Sequence, residues 1–242
     1  MRYAIISDIH SNLQALETVL ENISRLGIER ILCLGDIVGY GGDPSACIAL
    51  VSRRCETVIM GNHDAAAVEL TPVEYFNPVA FQAALWTRER LAEEEKEYLR
   101  ALPYSAHFEE FCLVHSSPDS PKEWRYLLTE DQAGPQFDFF AEQLLFFGHT
   151  HLPMTFIQTE SGAVNYSEAP EIELRENCRY LVNVGSVGQP RDGDPRASFG
   201  ILDTVERRVT ILRESYDILS AQRRIIEQDL PAVLAERLAY GS

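Results

Sequence analysis

Six short apolar runs, each cut off at once by a polar cluster, constrain this chain most. AII (4–6) runs into Ser7-Asp8-Ile9-His10, and ILCL (31–34) into Gly35-Asp36. TVIM (57–60) runs into Gly61-Asn62-His63-Asp64, and FCLV (111–114) into His115-Ser116-Ser117-Pro118. LLFF (144–147) runs into Gly148-His149-Thr150-His151, and LVNV (181–184) into Gly185-Ser186. Short runs of this make-up, bounded by glycine or proline, read as buried strands. Helical text lies between several of them. SNLQALETVLENISRLG puts Leu13, Leu16, Leu20, Ile23 and Leu26 on one face, with Ser11 or Asn12 as a cap and Gly27 as a stop. Residues 78–102 read as one or two helices started by Asn77-Pro78. The early β-α-β-α-β order implies a largely parallel sheet. From about 155 the text changes to TFIQTE, ASFGILD and RRVTILRE, strands joined by turns and paired antiparallel. A last helix covers about 216–239 with a break at Pro231; its apolar face, Ile225 to Leu238, packs on its own domain by default or on a partner. No repeat or linker interrupts the chain. One α/β domain over residues 1–242, with two packed sheets, is the simplest account.

In open α/β sheets the functional crevice lies outside the carboxyl ends of the strands. Every polar cluster above stands at such an end, so the clusters converge in space. Each has a plain alternative: Asp8 as a helix cap, Gly35-Asp36 as a turn, Asn62 and Asp64 bonding their own backbone, His115 as a satisfied core imidazole. The combination argues otherwise. The chain has six histidines, and five of them, His10, His63, His115, His149 and His151, directly follow strand-like runs. His107 stands apart and reads as an edge residue without a role. In an extended chain residues i and i+2 point the same way, so His149 and His151 would reach one site. Histidine, aspartate and asparagine in one crevice are the ligand set of borderline divalent metals. The candidates are too many for one tetrahedral ion. Two ions sharing a carboxylate would use them all.

The formal charge of −16 opposes a grip on long nucleic acid, which calls for basic patches. It leaves a small anionic substrate open, because a bound metal reverses the local field. No window reaches the roughly 18–20 apolar residues of a membrane span, and the opening MRYAIISDIH is too short for a signal peptide. The five cysteines show no CxxC spacing and read as reduced thiols of a cytoplasmic protein.

Taken in order, Asp8-x-His10, Gly35-Asp36, Gly61-Asn62-His63-Asp64, His115 and Gly148-His149-x-His151 resemble the five motifs of the calcineurin-like metallophosphoesterases, over residues 1 to about 190. SDIHSNLQAL, GDIVGYGGDP and GSVGQPRDGDPRAS are similar to the bacterial single-domain, YfcE-like or phosphodiesterase-like branch. The resemblance implies a four-layer αββα sandwich of two mixed β-sheets flanked by helices, and a two-metal site. It implies that Asp8, His10, Asp36 and His151 hold the first ion, and that Asp36 bridges to a second completed by Asn62, His115 and His149. Manganese is the first expectation, with iron, zinc, cobalt or nickel as alternatives. His63 would stand as a non-ligand near the leaving group, oriented by Asp64. The activity implied is hydrolysis of small phosphate esters, phosphodiesters or nucleotides, by in-line attack of a metal-bridging hydroxide. A phosphomonoesterase or protein phosphatase, or a silent metal-binding scaffold, is the alternative.

The match departs in places. Ser/Thr phosphatases of this superfamily carry GDxxDRG; here GDIVGYGG has Tyr40 and no arginine nearby. Arg191 or Arg196 would replace that phosphate clamp, unless they only decorate a surface turn. Asn12 faces either a phosphate or its own helix. Residues 117–140 form either a lid, with Trp124, Arg125 and Tyr126 ready to stack on a base, or a packed helical connection. The oligomeric state is not legible.

Overall fold

The apolar runs form strands. The structure is a computed structural model that describes residues 1–74 and 76–242. One sheet contains β1 (Arg2–Ile6), β2 (Arg30–Cys33), β3 (Thr57–Val58), β9 (Glu171–Glu173), β11 (Ala197–Asp203) and β12 (Arg208–Glu214), in the order β3-β2-β1-β11-β12-β9. The other contains β4 (Ser105–His107), β5 (Phe111–Val114), β6 (Leu144–Phe147), β7 (Pro153–Thr159), β8 (Val164–Ser167) and β10 (Cys178–Val184), in the order β4-β5-β6-β10-β7-β8. Three neighbours in each are parallel, β3-β2-β1 at one side of the first sheet and β5-β6-β10 in the middle of the second, and the remaining pairs are antiparallel. The sheets are therefore mixed, as expected.

Alternation along β1 shows how the layers stack. Ala4 and Ile6 face outward, onto Leu16, Val19, Leu20 and Ile23 of α1 (Leu13–Arg25). Ile5 faces inward, where it joins Leu32 and Leu34 against Phe111, Leu113, Leu144, Phe146 and Val182 of the second sheet. A strand covered on both faces has no polar alternation, which is why these runs read as continuous apolar text. α2 (Pro44–Arg54), opened by Asp43-Pro44, was not singled out in the sequence; it adds Cys47, Ile48 and Val51 to the first outer layer. The second sheet is covered more thinly. Leu127, Ala133, Phe137 and Phe140 press on Cys112, Val114, Leu145, Phe147 and Phe156. Ala133 ends α6 (Glu130–Ala133), and Phe137 and Phe140 lie in and just after a 3-10 turn at Gly134–Phe139. Residues 117–140 are thus mainly the fourth layer.

The remaining helices are α3 (Asn62–Ala67), α4 (Pro78–Arg90), α5 (Glu93–Arg100), α7 (Ile218–Glu227) and α8 (Ala232–Glu236). The 78–102 segment is two helices, separated where Leu91 turns extended. The last helix does break at Pro231, which stands at the N-cap of α8. Ile225, Leu230, Leu234 and Leu238 pack on Tyr40, Ala80 and Ala83 of the same chain. No helix among the described residues is long and apolar enough to cross a membrane.

Candidate metal centre

The strands stop and the backbone turns sharply. Asp8 (φ 53°), His10 (50°), Asp36 (53°), His149 (67°) and His151 (62°) all adopt left-handed geometry. Non-glycine residues there cost roughly 1–2 kcal/mol each, so the surroundings must hold them. They do so by lacing the loops together. Asp8 N–H donates to Gly35 O at 3.1 Å, His10 N–H to Asp36 O at 2.9 Å and Gly148 N–H to His115 O at 2.9 Å. The expectation that His149 and His151 align as i and i+2 of an extended chain fails. The strand ends at Phe147, and it is two left-handed turns that bring both rings inward. Close approach also dictates two glycines: a Cβ on Gly61 would lie 2.1 Å from Asp36 Oδ1, and one on Gly148 2.1 Å from Ser7 Oγ.

Four buried imidazoles meet at this point, and each has one nitrogen tied to a backbone carbonyl. His10 Nδ1 lies 3.2 Å from Val38 O, and His115 Nδ1 2.8 Å from Leu34 O. His151 Nδ1 lies 2.6 Å from Gln189 O, and His149 Nε2 2.8 Å from Trp124 O. A carbonyl only accepts, so the tied nitrogen carries the proton and the other ring nitrogen of a neutral ring presents a bare lone pair. This is how proteins orient histidine ligands. The consequence is sharpest between His10 and His151, whose Nε2 atoms stand 3.0 Å apart. Burial drives both rings well below the ordinary histidine range, so both are neutral and the two lone pairs oppose each other. A cation between them removes the conflict.

Two carboxylates complete the cluster. Asp8 Oδ1 lies 3.3 Å from His151 Nε2, 3.8 Å from His10 Nε2 and 4.0 Å from His115 Nε2. Asp36 Oδ2 lies 3.4 Å from His115 Nε2 and 3.6 Å from His10 Nε2. That oxygen accepts no hydrogen bond among the described residues, although it is buried. Asn62 Oδ1 sits 3.2 Å from His115 Nε2. Asp8, His10 and His151 form one group with metal-ligand spacing, and Asp36, His115 and His149 another. His10, Asp36 and His63 form a third that overlaps them. Without metal, burial and the neighbouring Asp36 raise Asp8 to about 6, against the pull of His115. Burial opposes charge on His115, yet Asp36 and Asp8 lift it to about 9, and its proton serves as the local cation. The donor set fits divalent metal.

Other expected residues fall differently. His63 is buried and donates its backbone N–H to Asp36 Oδ1 at 2.7 Å. Burial, with the nearby charge of Arg191, lowers its ring to about 4 against the pull of Asp36. Asp64 does not orient that ring. Its Oδ1 accepts from Val38 N–H and its Oδ2 from Gly61 N–H, each at 3.1 Å, while His63 Nδ1 has no partner among the described residues. The physical reason is local: Asp64 sits at the third position of α3, where its carboxylate reaches back to the helix start. Asn12 is a cap and not a phosphate contact. Its Oδ1 accepts from Ala15 N–H, and its Nδ2 donates to Gly188 O and Tyr216 Oη, which uses the whole side chain. Arg196 is held by Asp194 on an exposed turn. Arg191 lies beside the cluster. Its backbone N–H reaches His151 O at 3.3 Å, its Nη2 donates to Gln189 Oε1 at 2.9 Å, and its guanidinium stands 5.9 Å from the Tyr40 ring centre. The carbonyls of Leu34, Val38, Trp124 and Gln189 went unnoticed in the sequence, since a backbone group leaves no residue-type signal.

A cleft of about 750 Å³ opens over this cluster. Asn62, His63 and His149 form its floor, and Tyr40, Phe76, Ala80, Trp124 and Tyr126 stand in its walls. Arg125 turns away, to Asp119 and Glu123.

By class, this is a two-sheet α/β sandwich with a candidate metal centre of carboxylates and pinned imidazoles at its strand ends, and a cleft above it. The chain belongs to the calcineurin-like phosphoesterase superfamily, whose domain model matches residues 1–207. It is 39% identical over 242 residues to an uncharacterized protein, MJ0912, of Methanocaldococcus jannaschii, covering 98% of this chain and 97% of that one. It is 26% identical over 206 residues to the phosphodiesterase YfcE of Escherichia coli K12, covering 84% of this chain and 88% of the relative. The crystal structure of a metallophosphoesterase from Sphaerobacter thermophilus superposes with a TM-score of 0.88 at 39% identity, covering 100% of this chain and 99% of that one.

Proposed function

We propose that residues 1–242 form one domain that acts as a dinuclear-metal phosphoesterase on small phosphate esters, either phosphodiesters or nucleotides. The observation that carries this reading is the set of four buried imidazoles, each tied through one nitrogen to a backbone carbonyl, gathered around Asp8 and Asp36. Asp8, His10, Asp36 and His151 would hold one divalent ion. Asp36 would be shared with a second, completed by Asn62, His115 and His149. Manganese is the first choice, with iron, zinc, cobalt or nickel as alternatives, since ligand type alone does not select among them. Bound ions supply Lewis acidity at phosphoryl oxygens and a nucleophile at neutral pH.

The protein's own groups divide the remaining work. Arg191 would take a phosphoryl oxygen; its Nε is buried without a partner among the described residues. His63 is neutral at pH 7, and an anionic phosphate beside it would raise its proton affinity, so that it protonates the departing oxygen. The YfcE relative, named a phosphodiesterase, supports a diester. The charge of −16 and the free cysteines fit a cytoplasmic enzyme for small anions better than one for long nucleic acid.

The test compares p-nitrophenyl phosphate with bis-p-nitrophenyl phosphate on chelator-stripped protein, with and without manganese. Manganese-dependent cleavage favouring the diester is expected. Preference for the monoester would make the protein a phosphatase. Metal binding without cleavage of either ester would favour the scaffold.

A further inference from the structure

Beside the metal cluster the cleft changes character. The Tyr126 ring lies on the His149 ring, with centroids 4.2 Å apart and planes inclined by 22°. Tyr126 nevertheless remains 48% exposed and lines the cleft. On the His63 side, the Phe76 ring stands 5.1 Å from that imidazole, also in the cleft lining. Two aromatic walls thus rise directly from two residues of the centre, one above a ligand position and one beside the proton donor. Tyr126 is not spent on the core: it appears in none of the apolar clusters that hold the sheets, whereas Leu127, its neighbour, does. What distinguishes this half-exposed ring from others on the surface is its place: it stands in a cleft, stacked on a residue of the metal cluster, where a flat ligand group would cover it.

The volume agrees. About 750 Å³ is far more than a phosphate group needs, and falls within the range of roughly 300–1,000 Å³ of clefts that enclose a whole small molecule. Thr71, Asn77, Lys122 and Glu123 add polar groups to a lining that also presents aromatic rings, Pro72 and Ala80. That is the pattern for a flat group with a polar edge: apolar faces for stacking and a few donors at the rim.

We infer that the cleft over His149 is a nucleobase subsite, in which Tyr126 stacks the base of a nucleoside phosphoester whose phosphate lies at the metal cluster. The inference rests on the phosphoesterase reading and narrows its substrate class. Stacking on an aromatic face is tolerant of base identity, so the subsite selects for a base over none, and only weakly among bases.

The experiment measures binding of adenosine monophosphate and of ribose 5-phosphate to manganese-loaded protein by calorimetry, at matched metal content, in the wild type, Tyr126→Phe and Tyr126→Ala. The two ligands share the phosphate and sugar and differ in the base. Wild type is expected to prefer the nucleotide by roughly five- to a hundredfold. Tyr126→Phe should keep that ratio and Tyr126→Ala should bring it close to one. Because the readout is a ratio, a general weakening of the site does not mimic the result. Equal affinities in the wild type, or an unchanged ratio in Tyr126→Ala, would overturn the subsite while leaving the phosphoesterase reading intact. Failure of both ligands to bind would overturn the subsite, whereas only failure to cleave both p-nitrophenyl esters would overturn the phosphoesterase reading.

Discussion

The Nε2 of His149 donates to the backbone carbonyl of Trp124 at 2.8 Å, and Trp124 offers that carbonyl from a left-handed backbone, φ 54°. The indole of Trp124 is itself held, donating from Nε1 to Thr71 Oγ1 at 2.8 Å. The chain Thr71–Trp124–His149 therefore ties two segments of the cleft lining to a single candidate ligand position.

Thr71→Val removes the indole's acceptor and keeps the shape. The ion at His149 is expected to bind roughly tenfold more weakly, the lower end for losing an outer partner of a histidine ligand. The ion at Asp8 and His10 should be unaffected. Manganese titration by calorimetry reads both; identical isotherms for wild type and variant would show that the latch does not position His149.

His63→Ala separates ligand from proton donor. Metal content should stay near two ions per chain, while turnover falls by about 10²–10⁴, the usual worth of a general acid. A loss of metal, measured by elemental analysis, would make His63 a ligand, as its spacing to His10 and Asp36 also allows.

Asp64→Ala should act on stability first. It strips acceptors from the buried N–H groups of Val38 and Gly61. Each unsatisfied group costs about 1–3 kcal/mol, so a loss of about 2–6 kcal/mol in chemical denaturation is expected. If Asp64 instead served His63, stability would hold and the pH profile of turnover would move.

Protonation of His115 links metal to stability. In the metal-free protein its value is raised to about 9, above the ordinary 6.5 of an unfolded chain. That group's contribution is fully present below pH 6.5 and is lost as pH rises through 9. A metal ligand must be unprotonated, so the loaded protein lacks this term. The rise in melting temperature on adding manganese should therefore grow between pH 6.5 and 9. A rise that stays flat or shrinks over that window would mean that His115 is not the proton that metal displaces.

Much of this site was legible because burial and chain chemistry act locally. Apolar runs such as AII and LLFF must be covered on both faces, and residues after them must leave the sheet. Asn77 caps a helix whose first residue is Pro78, and Pro231 interrupts one, because both effects need only the local chain. The ends of the strands, and so the gathering of Asp8, Asp36, His115, His149 and His151, follow from those rules together with the crevice of α/β sheets.

Local chain chemistry is enough to say which residue types come together. How each is held depends on the packed fold. Leu34 O fixes His115 from 81 residues away, and Gly188 O occupies Asn12 from 176 away. Such partners are backbone carbonyls, which every residue carries, so no pattern of side chains announces them. The same holds for Asp64, whose two oxygens go to the nearer N–H groups of its own helix start and of Val38 rather than to the adjacent imidazole. Spacing along the chain sets who is available. Directional hydrogen bonding in a buried, water-poor cluster sets who is chosen, because each unsatisfied group there is expensive.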